Sequence, residues 1–222
     1  MSIKQSIFAA LRKNLLPGLV LQLFAVALLI IYFFVPASKP VFALFGELKQ
    51  TYSYAYSFVA TAVFGGLIPF VYLWLSNSLA PARSALGLLV FYLLFWGLKG
   101  MEVDLFYRLQ SEWFGTGNDW QTIITKMAAD QFIYSTFWAA PSITVVYLWM
   151  ECGWRFSAWM RAMDKTFFWV KIPTVVLSNW LVWIPAVCVV YAMPAELQIP
   201  LFNLVLCFWV LLLAVLNKRS LD

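Results

Sequence analysis

Lys99, Glu102, Lys126 and Asp130 border or interrupt long apolar stretches of this chain. An ionisable side chain at membrane depth is costly. Such groups pair with one another, face a wet path or carry function. Glu102 follows Lys99 by three residues, a spacing that lets the two meet on one helix face. Asp130 follows Lys126 by four, again on one face. The stretch ending near Lys99 and the stretch beginning near Lys126 should run in opposite directions. The four residues are therefore expected to form one charged cluster between two helices, with Gln131 beside it. In a permeation path, Asp130 would set a preference for cations, as acidic groups do in cation-permeable pores. The competing expectation is that these side chains snorkel to the interface.

Prolines make the second pattern. Pro69, Pro141, Pro173, Pro185 and Pro200 fall inside or at the edge of apolar stretches. Each removes an N–H and leaves a carbonyl without its helical partner, so kinks are expected there. In transporters such broken helices present backbone groups to a substrate. In other membrane helices they serve packing alone. Gly65 and Gly66, just before Pro69, allow a kink or close helix packing.

Missing residue types exclude other chemistry. There is no histidine among the 222 residues, so Ser–His proteolysis, axial-His haem and HExxH zinc sites are excluded. The three cysteines, Cys152, Cys188 and Cys207, form no CxxC pair. They read as small buried apolar side chains, and no metal site is expected. No paired intramembrane aspartates and no nucleophile–base pair are visible, so the chain is read as a non-enzyme without cofactor.

The elements that must position these residues follow from composition. Hydrophobic residues make up 64% of the chain and charged residues 11%. Soluble domains run at about 45–50% apolar and about 25% charged. The expected class is an all-α polytopic membrane bundle, one domain over residues 1–222, with Pro-kinked helices. Six spans are predicted at about 15–35, 54–75, 84–100, 128–150, 168–193 and 197–216. The third is the shortest, and the segment 84–112 could span or re-enter. Two interfacial amphipathic helices are expected. One is residues 3–15, with Ile3, Ile7, Phe8, Leu11 and Leu15 on one face. The other is residues 154–168, with Phe156, Trp159, Met160, Met163 and Phe167 opposing Ser157, Arg161, Asp164 and Lys165. A loop at 112–122 should end in a helix cap before Trp120.

Six spans put both termini on one side. Ten of the fifteen basic residues then share that side: Lys4, Arg12, Lys13, Arg83, Arg155, Arg161, Lys165, Lys171, Lys218 and Arg219. Positive residues favour the cytoplasmic or matrix face, so the expected location is a bacterial cytoplasmic (inner) membrane or a mitochondrial inner membrane. Trp149, Trp154, Trp159 and Trp169 should gather at that boundary, with Trp113 and Trp120 at the other. The net charge of +5 suits anionic lipid headgroups rather than nucleic acid. Membrane lipids are the expected partners, and a homo-oligomer is allowed.

Several short motifs carry a resemblance. Residues 126–131 read Lys-Met-Ala-Ala-Asp-Gln, and Gly65-Gly66 precede Pro69 and Trp74. Trp183-Ile184-Pro185 follows, then Pro194, with Trp209 fifteen residues later. Together these resemble the Mpv-seventeen/peroxisomal membrane protein family. Lys126, Asp130 and Gln131 match its Lys-x-x-x-Asp-Gln motif. Tyr72 stands where the family has His, Cys188 where it has Gln, and Gln198 where it has Arg. The segment from Trp74 to Lys126 is longer than the family connection. The resemblance implies a small multi-span organelle-membrane protein, proposed to act as a weakly selective channel.

The functional expectation is thus a small-solute or ion permeation protein. Polar groups such as Thr61, Asp130, Gln131, Ser135, Asn179 and Asn203 would line the path. The alternative is a non-transporting membrane scaffold or assembly factor, in which the same groups join helices.

Overall fold

The computed structural model describes residues 3–79 and 84–219. Arg83 lies outside the described residues, as do the side chains of Ile3, Lys4, Ile7, Lys218 and Arg219. Nine α-helices are described: α1 (Ile3–Phe34), α2 (Lys39–Thr61), α3 (Ile68–Leu75), α4 (Ala85–Phe114), α5 (Trp120–Ala128), α6 (Ala140–Glu151), α7 (Phe156–Ala162), α8 (Ile172–Tyr191) and α9 (Ala195–Arg219). Three π-helical segments, π1 (Ala62–Leu67), π2 (Ala129–Ala139) and π3 (Phe167–Lys171), continue directly into α3, α6 and α8. No strand occurs among the described residues. The all-α expectation holds.

Five helical stretches are long and apolar enough to cross a membrane: Phe8–Phe34, Pro36–Leu75, Ala85–Phe114, Phe167–Tyr191 and Ala195–Ala214. They match five of the six predicted spans. The remaining one, 128–150, is helical throughout, but Asp130, Gln131 and its Ser, Thr, Tyr and Trp residues keep it below that apolarity.

Four boundaries differ from expectation. Residues 3–15 form no separate interfacial helix, because α1 runs unbroken from Ile3 through Pro17. The second predicted amphipathic helix is cut to the seven residues of α7, with Phe156 and Met160 exposed. Phe167, assigned to the same face, is instead buried in π3. The second span begins inside a helix that starts at Lys39, so Glu47 and Lys49 are helical rather than in a loop. The third continues past Lys99 as one 30-residue helix to Phe114. A run of charges does not end a helix whose backbone bonds are satisfied and whose charges are paired.

The π segments share a placement. Each ends two residues before a proline: Leu67 before Pro69, Ala139 before Pro141, Lys171 before Pro173. A proline ring collides with the carbonyl four residues back and offers that carbonyl no N–H. The wider π turn moves the clashing carbonyl away. Pro185 was grouped with these three, yet it sits inside α8 with α-helical geometry around it, as Pro200 does inside α9.

The chain divides into two compact units. The first holds residues 1–22 and 124–188, the second 23–123 and 189–222. In the second, α2 and α4 run antiparallel over a long register. Gly66 meets Tyr92, Gly65 meets Trp96, Gly97 meets Phe58, and Gly100 meets Ser57 and Thr61. A Cβ at Gly66 would stand 2.8 Å from the Tyr92 carbonyl oxygen, so only glycine lets the backbones approach this closely. The first half of α9 packs into the same unit, burying Leu197, Ile199, Leu201, Asn203, Val205 and Leu206. In the first unit, α8 is tied to α1 by Gln22, whose Nε2 donates to the Val182 carbonyl at 2.6 Å.

Candidate functional site

Lys49, Ser53, Ser57 and Thr61 recur every four residues along α2, which places them in one polar stripe. Asp104 and Arg108, also four apart, face that stripe from α4. The result is an ion cluster within two candidate spans, buried at Lys49 and Asp104 and exposed at Arg108. Lys49 Nζ donates to Asp104 Oδ2 at 2.9 Å, and Ser57 Oγ donates to the same oxygen at 2.7 Å. Arg108 Nε donates to Asp104 Oδ1 at 3.0 Å, and its Nη2 to Ser53 Oγ at 2.7 Å. The Tyr54 ring lies 4.4 Å from the Arg108 guanidinium. Asp104 is 2% exposed and Lys49 6%, so each charge depends on its partners rather than on solvent.

Ser53 breaks the regularity of α2. Its φ of 50° and ψ of −122° lie in a region that non-glycine residues rarely occupy, at a cost of about 1–3 kcal/mol. The break turns its hydroxyl to the Arg108 fork. One turn further along the stripe, Thr61 Oγ1 donates to Asn203 Oδ1 of α9 at 2.8 Å. The Asn203 Nδ2 has no protein hydrogen-bond partner among the described residues.

The ion cluster lines a pocket of about 530 Å³. Its walls come from α2 (Gln50, Ser53), α4 (Tyr107, Ser111, Glu112) and the start of α9 (Glu196, Gln198, Ile199). Gln198 is held by its own bond to the Met193 carbonyl at 3.1 Å. Tyr107 packs against Tyr191, with the ring centroids 5.1 Å apart and the planes tilted by 58°.

A different polar centre occupies the first unit. Asp130, Gln131 and Ser135 lie buried on π2. Asn179 of α8 donates from Nδ2 to Gln131 Oε1 at 3.2 Å and to Ser135 Oγ at 2.8 Å. Gln131 Nε2 donates to Asp130 Oδ1 at 3.1 Å. The Gln131 carbonyl accepts from Thr136 Oγ1 at 2.8 Å and from the Trp180 indole at 2.9 Å. In π geometry the carbonyls near Pro141 are displaced from ordinary helix bonding, and side chains supply the donors.

Of the residues singled out from sequence, Lys99 and Glu102 pair as expected, at 2.8 Å. They belong to the second unit. Lys126, Asp130 and Gln131 belong to the first, where all three are buried. The single expected cluster is thus carried by two units. Trp149, Trp154 and Trp159 do gather: Trp149 lies 5.1 Å from Trp154 and 6.1 Å from Trp159. The Lys49–Asp104–Arg108 site was not anticipated. Its signal was present in the four-residue polar period of α2 and the Asp104–Arg108 spacing.

No family model matches the chain, and neither a curated protein nor a solved structure does.

Proposed function

We propose that this protein is a multi-pass membrane permeation protein whose solute enters at the Lys49–Asp104–Arg108 pocket. The observation that carries this reading is the burial of Lys49 and Asp104 in the lining of an open polar pocket within candidate spans. Ionisable groups in such segments mark substrate or ion pathways when they border a cavity. A purely structural ion cluster needs no cavity above it. The short motifs that resemble the Mpv-seventeen/peroxisomal membrane protein family support a channel-like role.

In this reading residues 128–150 form a sixth crossing despite their lower apolarity, because Asp130 and Gln131 find partners inside the protein rather than in lipid. Both termini then face the cytoplasm or matrix, and the pocket opens to the opposite side.

Flux into liposomes tests the proposal. Purified protein should pass small charged solutes faster than protein-free vesicles, and Asp104→Asn should cut that flux at least tenfold. Flux no greater than in protein-free vesicles for any ion or small metabolite would sink the reading and favour a scaffold.

A further inference from the structure

The charges of the pocket are layered. The ion cluster carries Lys49 and the exposed Arg108 against the single carboxylate of Asp104, an excess of one positive charge. Glu112 and Glu196 also line the pocket, and neither forms an ion pair with another described residue. Their position follows from the helix register. Glu112 lies four residues beyond Arg108 toward the C-terminus of α4, about 5–6 Å along the axis. Glu196 packs on α2 at Gly46, where a Cβ would come within 3.3 Å of the Glu196 Cγ. Gly46 lies one turn before Lys49. Because α2 and α4 are antiparallel, both carboxylates are displaced from the ion layer toward the same end.

The lining thus offers two carboxylates toward one end and an excess of positive charge beside them. A simple anion would satisfy the basic groups but meet the two glutamates unfavourably. A simple cation would satisfy the glutamates and meet the excess positive charge. One ligand chemistry suits both layers: an anionic group and an ammonium a few bonds apart. Lys49 and Arg108 would take the anionic end, and Glu112 and Glu196 the ammonium. Arg108 is suited to this, since Nη1 makes no hydrogen bond among the described residues while Nε and Nη2 hold its fork on Asp104 and Ser53. We infer that the pocket is selective for small zwitterions. This inference rests on the pocket being the solute site.

Equilibrium dialysis of the purified full-length protein in a non-ionic detergent tests it, with labelled 4-aminobutyrate as probe and butyrate and butylammonium as competitors. The zwitterion should bind at least tenfold more tightly than either singly charged analogue. The Glu112→Gln/Glu196→Gln pair, whose side chains are exposed or half-buried, should lower 4-aminobutyrate affinity at least tenfold and leave or improve that of butyrate. Repeating the measurement in phosphatidylglycerol and phosphatidylethanolamine vesicles separates two sources of the same chemistry. Loss of binding only in phosphatidylethanolamine supports a zwitterionic headgroup as occupant, and equal binding in both supports a free solute. Butyrate binding as tight as 4-aminobutyrate, or a preference unchanged in the double variant, overturns the inference. Butyrate flux without zwitterion preference would overturn it while leaving the permeation reading in place. Zwitterion binding without flux would do the reverse.

Discussion

The two polar centres solve one problem in opposite ways. In the second unit, Lys49 and Asp104 bury full charges and pair directly, with the exposed Arg108 as a second cation on the same carboxylate. In the first, Asn179 donates to Gln131 and Ser135, Trp180 donates to the Gln131 carbonyl, and Gln131 in turn donates to Asp130, so amide, hydroxyl and indole bonds join the helices. The charged centre sits on an irregular residue of an α-helix and opens to a pocket. The amide centre sits on a π segment and stitches two helices. Breaking an ion pair strands a charge, whereas breaking an amide bond leaves a dipole that can find another donor. The difference predicts unequal penalties.

The largest effect should come from the charged centre. Asp104→Leu leaves Lys49 buried without its counter-charge and should cost about 3–5 kcal/mol. Denaturation in mixed micelles measures it. Lys49→Met with Asp104→Leu removes both charges and should recover most of that loss, because a well-packed apolar pair often replaces a buried ion pair at little cost. Solute flux should not recover. A double variant as unstable as the single one would mean that packing, not charge, governs this site.

Gly100→Ala comes next. A Cβ there would collide with Thr61 Oγ1 and the Ser57 carbonyl, at the crossing that sets Ser57 beneath Asp104. Overpacking of this kind costs about 1–3 kcal/mol. Since the clash is with backbone as well as side chain, flux should fall together with stability. Gly87→Ala, where the nearest atom to a new Cβ is 3.7 Å away, should leave both unchanged.

Asn179→Ala probes the amide centre. It removes the donor to both Gln131 and Ser135, and interhelical bonds of this kind in membranes are worth about 0.6–1.7 kcal/mol. A loss as large as that of Asp104→Leu would erase the distinction between the two centres and imply that Asp130 depends on the network for its charge.

Sequence alone revealed these centres unevenly, and the reasons are physical. Periodicity and apolarity located five helical spans, because the hydrophobic requirement of a span is a property of the residues themselves. The Lys99–Glu102 pair was legible because its partners share one turn. Asp130 and Gln131 were legible as polar groups in an apolar run. Their partner Asn179 was visible only as one polar residue among several, since it lies 48 residues away and only packing selects it. Lys49 fell outside the predicted 54–75 span because a hydropathy reading treats a lysine and a glutamine as the end of a span. Their neighbours Ser53, Ser57 and Thr61 carried the correcting signal as a four-residue stripe. The conformation of Ser53 has no local signal, being imposed by contacts with α4. The π segments are half legible. Proline marks where a carbonyl must be moved, but Pro185 and Pro200 show that the residue does not dictate how.

The smallest expected effect sharpens the comparison by adding a carboxylate held in open solvent. Asp119 caps α5: it accepts the Thr122 hydroxyl at 2.7 Å and the Thr122 backbone N–H at 3.0 Å. Those bonds, the hydroxyl first, hold its carboxyl below the usual range. A lowered value in the folded state means that the cap stabilises at pH above about 4, where an unfolded aspartate is also ionised. The contribution disappears as pH falls through the lowered folded value. The protection of the Thr122 and Ile123 amides, taken relative to their intrinsic exchange rate at each pH, should therefore fall at acid pH in the native chain. Asp119→Asn keeps an acceptor for the backbone N–H but does not titrate, so its exchange should show no such acid step, and Asp119→Ala should exchange fast throughout. If Asp119→Asn keeps the acid step, the titrating group lies elsewhere. The buried carboxylates would then be the next to examine.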